Sequence, residues 1–227
     1  MTDFFHKSWA IAAKDLRTEL RNREVINAAA AFALVVLLLF SFAFDPITNP
    51  DARDMAGGLL WIVYSFAGIL VLNRSFARET ANDCLSALVA APVPGSALFC
   101  GKTLANWVLL LTLELVSLPM FSVFYDIRWT GNVPLLLLVL ALGALALTVV
   151  GVMFGAATAN NRLRELMLPL LVFPLTLPAL MACVELTPLV LTGQPLGDSV
   201  IWLKLLIVFD VIFALLGANL LEFVLTA

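Results

Sequence analysis

Charge is what this chain lacks most. Only 13% of its 227 residues are charged, while 62% are hydrophobic; an ordinary soluble domain has about a quarter charged. A globular protein must give much of its surface to water. A composition this apolar therefore excludes a water-soluble fold and predicts an integral membrane protein. Histidine is nearly absent, with His6 the single example. The chain cannot supply a histidine pair to a metal or a haem, and one histidine near the N-terminus supports no Ser/His/Asp or Cys/His set. Cys84, Cys100 and Cys183 form neither C-x-x-C nor C-x-x-C-H, so redox, zinc and covalent haem-attachment motifs are missing. They read as small buried thiols. A Walker A loop is also missing: Gly101-Lys102-Thr103 has Ser96 where the upstream glycine belongs. The chain alone is not expected to hydrolyse nucleotide. There is no H-E-x-x-H. No extended repeat relates the first three spans to the last three, which argues against an inverted-repeat carrier. The net charge of −3 says little about partners, and no nucleic-acid partner is expected.

Long apolar runs are what the chain has instead. A spanning helix needs about 20 largely apolar residues. Six segments qualify, at approximately 26–44, 56–73, 103–125, 133–158, 166–186 and 202–222. The first is longer than a signal-peptide core and is read as retained. Lys and Arg counts in the short loops set the orientation. Lys7, Lys14, Arg17, Arg21, Arg23, Arg74, Arg78, Lys102, Arg162 and Arg164 fall on one side, and Arg53, Arg128 and Lys204 on the other. Both termini are thus expected in the cytoplasm. Trp129 and Trp202 lie near the outer boundary, where amphipathic rings are favoured.

Residues 1–24 precede the first span. On a helix of 100° per residue, Phe5, Trp9, Ala12, Ala13, Leu16 and Leu20 share one face; Lys7, Lys14, Arg17, Thr18 and Arg21 share the other. Such a helix lies in the membrane surface with its basic side toward anionic headgroups. The alternative is a helix packed on a partner protein.

Within the spans, Glu114 and Asp210 are the candidate pathway or buried polar residues. A carboxylate at that depth is costly and faces a bundle interior, a cavity or a polar partner. Glu114 is expected either to serve a pathway or to hydrogen-bond with Thr112, Asn106 or a neighbouring helix. Asp210 has Lys204 as a possible partner, although six residues is not a facing spacing. Glu185 and Glu222 lie near span ends and can reach the interface. Pro169, Pro174 and Pro178 remove backbone donors from the fifth span and mark a bend, moving or static. Gly151 and Gly155 permit close helix approach.

The most polar interior stretch, 74–102, reads RSFARETANDCLSALVAAPVPGSALFCGK. The chain turns polar at Asn73-Arg74, and Phe76 to Ala91 has helical character. Pro92-Val93-Pro94-Gly95 breaks that helix, and Ser96 is the expected N-cap for the third span. A helix too short to span, held between two spans, can dock on a soluble partner and transmit its motion.

Six spans, an amphipathic N-terminal helix and this elbow resemble ABC-2 type exporter permeases. NRSFARETANDCLSALVAAPVPGSALFCGKTLANW, LRELMLPLLVFPLTLPALM and FDVIFALLGANLLEFVL, with KDLRTELRNRE at the start, resemble the haem exporter protein B family of cytochrome c maturation. The likeness covers nearly the whole chain. It implies an all-α integral membrane protein of six transmembrane helices. An interfacial N-terminal helix, a cytoplasmic coupling helix between the second and third spans, and cytoplasmic termini complete it. The whole chain, 1–227, is then one permease domain of a bacterial cytoplasmic membrane. The resemblance further implies a cytoplasmic ABC ATPase partner, other membrane subunits of the same system and a homodimer within the complex. Glu79, Asp83, Leu85 and Leu88 become the ATPase-contact candidates. ATP would drive haem export, or release of haem to a chaperone outside the membrane. Haem is possible in the complex, but no cofactor is assigned to this chain. The alternatives are an ABC-2 permease for a lipid, drug or polysaccharide, a proton-coupled carrier using Glu114 and Asp210, and a membrane scaffold.

Overall fold

The computed structural model describes residues 2–49, 52, 55–81, 94–127, 132–158 and 163–226, with backbone alone at 2–3, 76–81, 164 and 222–226. Among these residues there is no strand. The long helices are α1 (Thr2–Asn22), α2 (Glu24–Phe44), α3 (Ala56–Ala81), α4 (Gly95–Phe124), α5 (Val133–Ala157), α6 (Arg164–Thr192) and α7 (Val200–Thr226). All but α1 contain a stretch long and apolar enough to cross a membrane. A single 3₁₀ turn, Gly197–Ser199, leads into α7.

α2 and α5 begin and end close to the expected bounds; the other spans run longer. α3 was expected to stop at 73 and instead continues unbroken to Ala81. Asn73 and Arg74 are polar but do not break a helix, because its backbone hydrogen bonds are internal in water as in lipid. α4 starts at Gly95 rather than 103. Pro94 holds its N-cap position in extended conformation (φ −64°, ψ 140°). Ser96, expected as the cap, is the second residue of the helix. Both ends of the elbow are thus extensions of spans, while 82–93 lie outside the described residues. α6 ends at Gly193 (φ 71°), whose left-handed conformation returns two N–H groups to Leu189 and Val190, a glycine helix stop.

α5 is the central helix and touches α3, α4, α6 and α7. Its Val139, Leu140, Leu147 and Val150 are fully buried. Lipid tails are as apolar as leucine, so hydrophobicity alone does not hold membrane helices together; shape does. Large side chains here fill places where the facing helix has no side chain. A Cβ on Gly143 would lie 2.0 Å from Cη2 of Trp61 and 2.8 Å from Cys183 Sγ. One on Gly151 would lie 2.3 Å from Leu72 Cδ1, and one on Gly217 would lie 2.3 Å from Phe99 Cζ. These contacts join α5 to α3, and α7 to α4.

The packing also sorts the helix ends. Phe99 against Gly217 sets the C-terminal half of α7 beside the start of α4. At the opposite end, Ser41 donates to the Phe124 carbonyl (3.0 Å) and the Tyr125 hydroxyl donates to that of Leu37 (3.3 Å). Overpacking a filled contact costs about 1–3 kcal/mol. Gly143→Ala should therefore lower the thermal unfolding midpoint of the purified protein. Gly58→Ala, whose new methyl meets only Val184 at an ordinary 3.6 Å, should leave it unchanged. Equal midpoints in the two variants would contradict this packing.

Candidate functional site

Two buried polar regions stand out, one at the elbow end and one at mid-bundle. At the elbow end, α1 lies on the first turns of α4. The side it presents overlaps its apolar face only at Ala12 and includes none of its basic face. Ser8, Ala12 and Glu19 are buried, while Phe5, Trp9 and Leu20 remain mostly exposed. The crossing point is Gly101, where a Cβ would meet the Ser8 carbonyl at 2.7 Å and Ile11 Cβ at 2.8 Å. Next to it, the Lys102 ammonium, only 1% exposed, pairs with Asp15 at 3.1 Å. Asp15 also lies 3.2 Å from Lys14. One turn along α4, Asn106 donates to Ser75 on α3 (3.1 Å) and to the Lys102 carbonyl. The N-terminal helix and both flanks of the elbow are therefore latched together on one side.

The junction of α1 and α2 is held just as closely. Arg23 adopts a left-handed conformation (φ 51°) and breaks the helix. The first N–H groups of any helix lack internal partners. Here one oxygen of Glu19 accepts from Val25 and Ile26 N–H, each at 3.1 Å. An anion at a helix N-terminus is favourable for the same reason. The Arg74–Glu24 pair nearby (3.9 Å) is exposed on both sides and contributes little.

At mid-bundle, four helices converge. The Tyr64 hydroxyl on α3 lies 2.9 Å from Ser117 and donates to the Glu114 carbonyl on α4 (3.2 Å). Trp61 Nε1 donates to Thr187 on α6 (2.8 Å), whose own hydroxyl returns to the Cys183 carbonyl. Cys183 lies within electrostatic range of both Glu114 and Asp210. Glu114 is fully buried and Asp210 nearly so. None of their carboxyl oxygens has a hydrogen-bond partner among the described residues.

Several expected partners are absent from this site. Thr112 is exposed and bonds Val108, and Asn106 serves the elbow latch, so neither reaches the Glu114 side chain. Lys204 is exposed and does not meet Asp210. Pro174 and Pro178 lie on the exposed side of α6, Pro169 is half-buried, and α6 remains one unbroken helix. Gly151 faces Leu72, and Gly155 is buried on the same helix. Of the elbow candidates, Glu79 falls on the extension of α3; Asp83, Leu85 and Leu88 lie outside the described residues. Trp129 also lies outside them. No group of three acids, cysteines or histidines placed to hold a metal occurs among the described residues.

Comparison with known proteins places this architecture. The family model of the "CcmB protein" matches residues 6–221. The chain belongs to that family. The haem exporter protein B resemblance seen in the three quoted stretches is thereby borne out. The chain is similar to "Heme exporter protein B" of Rhodobacter capsulatus, 33% identical over 177 residues, which are 78% of this chain and 80% of the relative. It is similar to the protein of the same name from Paracoccus denitrificans, 32% identical over 75% of this chain and 78% of the relative. A third, from Pseudomonas aeruginosa, is 28% identical over 85% and 86%. The family match takes in both polar regions.

Asp15, Lys102, Glu19 and Tyr64 were not singled out as site residues by sequence. The available signal was slight: single polar residues near helix ends, with no spacing that pairs them. Removing one member of a buried ion pair costs about 3 kcal/mol or more. Asp15→Asn should thus lower the unfolding midpoint and speed proteolysis within α1. Arg74→Met, which breaks an exposed pair, should shift either readout far less. Matching effects would show that the Asp15–Lys102 contact does not hold α1.

Proposed function

We propose that this chain is the membrane permease subunit of an ATP-driven complex for c-type cytochrome biogenesis. The observation that carries this reading is the family match across residues 6–221, nearly the whole helical bundle. Relatives named for haem export support the cargo assignment. The sequence has no nucleotide-binding loop, so ATP hydrolysis belongs to a partner ATPase subunit in the cytoplasm. That subunit docks at the elbow through Glu79, Asp83, Leu85 and Leu88. Six spans form half of a transporter, and two copies complete it beside other membrane subunits in the bacterial cytoplasmic membrane. Haem is the cargo, and it is exported or released to a chaperone outside the membrane.

The mechanism follows from how the elbow is anchored. ATPase closure displaces the elbow. The displacement enters α3 and α4 through continuous helix and reaches α1 through Gly101 and the Asp15–Lys102 pair. α1 passes it to α2 through the Glu19 cap. The bundle then moves around α5, which touches α3, α4, α6 and α7.

Deletion of the gene in its host should abolish c-type cytochromes in a haem-stained membrane gel. Complementation with a Leu85→Asp, Leu88→Asp double variant should fail, and the ATPase should drop out of the purified complex. Normal holocytochrome after deletion would defeat the function, and an ATPase that stays on the variant would defeat the dock.

A second reading, a proton-coupled carrier, is favoured by one observation: Glu114 and Asp210 are buried without partners among the described residues. Under the leading reading, Glu114→Gln restores holocytochrome. A complete loss, with normal levels of the inserted protein, would favour the carrier.

A further inference from the structure

On the flank of the bundle, α3 and α6 part to leave a groove of about 460 Å³. That size falls in the range of ligand sites, about 300–1,000 Å³. Trp61, Phe66 and Phe173 form its aromatic walls, and Leu177 and Met181 lie along its length. Glu185 is the one charged side chain lining it among the described residues, and it is exposed. Phe173 to Glu185 on α6 spans about 18 Å at 1.5 Å per residue. The groove is thus elongated and lined almost wholly by apolar side chains, which suits an extended hydrocarbon chain.

The charge then selects the ligand. Glu185 stands at the end of the groove near Gly58, close to the start of α3 and away from the elbow. An amphiphile with its tail along the aromatic walls presents its headgroup there. A carboxylate repels a purely anionic headgroup and accepts charge-assisted hydrogen bonds from an ammonium. It also disfavours haem, whose two propionates are anionic. We infer that the α3–α6 groove binds one acyl chain of a phospholipid from the leaflet opposite the elbow, its headgroup ammonium held by Glu185. This site is separate from the mid-bundle carboxyls and does not depend on the cargo.

The test uses the full chain with its co-purifying subunits in mild detergent. The complex is exposed to equal amounts of phosphatidylethanolamine and phosphatidylglycerol with identical chains, and retained lipid is read by native mass spectrometry. Wild type should keep phosphatidylethanolamine by about ten-fold, the ratio one charge-assisted hydrogen bond can produce. Glu185→Gln should level the two lipids and Glu185→Lys should invert them. Both substitutions are at an exposed position, so the fold is preserved. Met181→Trp, which obstructs the slot, should reduce retention of both. Equal retention by wild type would overturn the proposal, as would a preference that survives Glu185→Gln. A Leu177→Cys variant that cross-links to another subunit's helix would show that protein covers the groove, and would overturn it too.

Discussion

Trp61 rests against bare backbone at Gly143, and the arrangement of the bundle depends on that contact. In a bilayer, burying an apolar ring gains little, because lipid offers the same environment. What the ring gains is close contact with the Gly143 backbone and a hydrogen bond from its indole nitrogen to Thr187. That one side chain brings three helices together: it stands on α3, lies against Gly143 of α5 and bonds α6. Tyr64, one turn further along α3 and edge-on to Trp61, extends the join to α4 through Ser117. A large aromatic in a glycine notch therefore fixes the surroundings in which Glu114 and Cys183 sit.

The same logic recurs at the elbow end, with a charge added. Gly101 lets α1 approach α4 until backbone nearly touches side chain, and Asp15 meets Lys102 beside that notch. α1 thus has three working sides rather than two. One side packs on protein, while Phe5, Trp9 and Leu20 form an exposed apolar strip and the basic residues occupy the remainder. The amphipathic pattern describes only the second and third.

This explains how far the sequence could be read. The six spans were legible because uncharged runs of about 20 residues have few other uses. Their ends were less legible: Asn73 and Arg74 change polarity without changing backbone geometry, so α3 runs on, and Pro94 starts α4 earlier than the apolar run suggests. The depth of Glu114 and Asp210 in the bundle was apparent from their neighbours in sequence. Their surroundings were not, because Tyr64 and Cys183 come from distant parts of the chain and look like ordinary buried residues. Lys102 was counted as a loop charge, since nothing in GKTLANW announces an aspartate on another helix. Glu19 capping α2 across a left-handed Arg23 has no sequence motif at all.

The Asp15–Lys102 pair joins residues 87 positions apart, and the ribosome makes them in order. Asp15 emerges well before Lys102. When the third span is made, its first turns carry an ammonium that ends up only 1% exposed, against the Asp15 carboxylate. By then the N-terminal helix, and with it that carboxylate, has already been made. The group that receives Lys102 is therefore always made before the lysine itself.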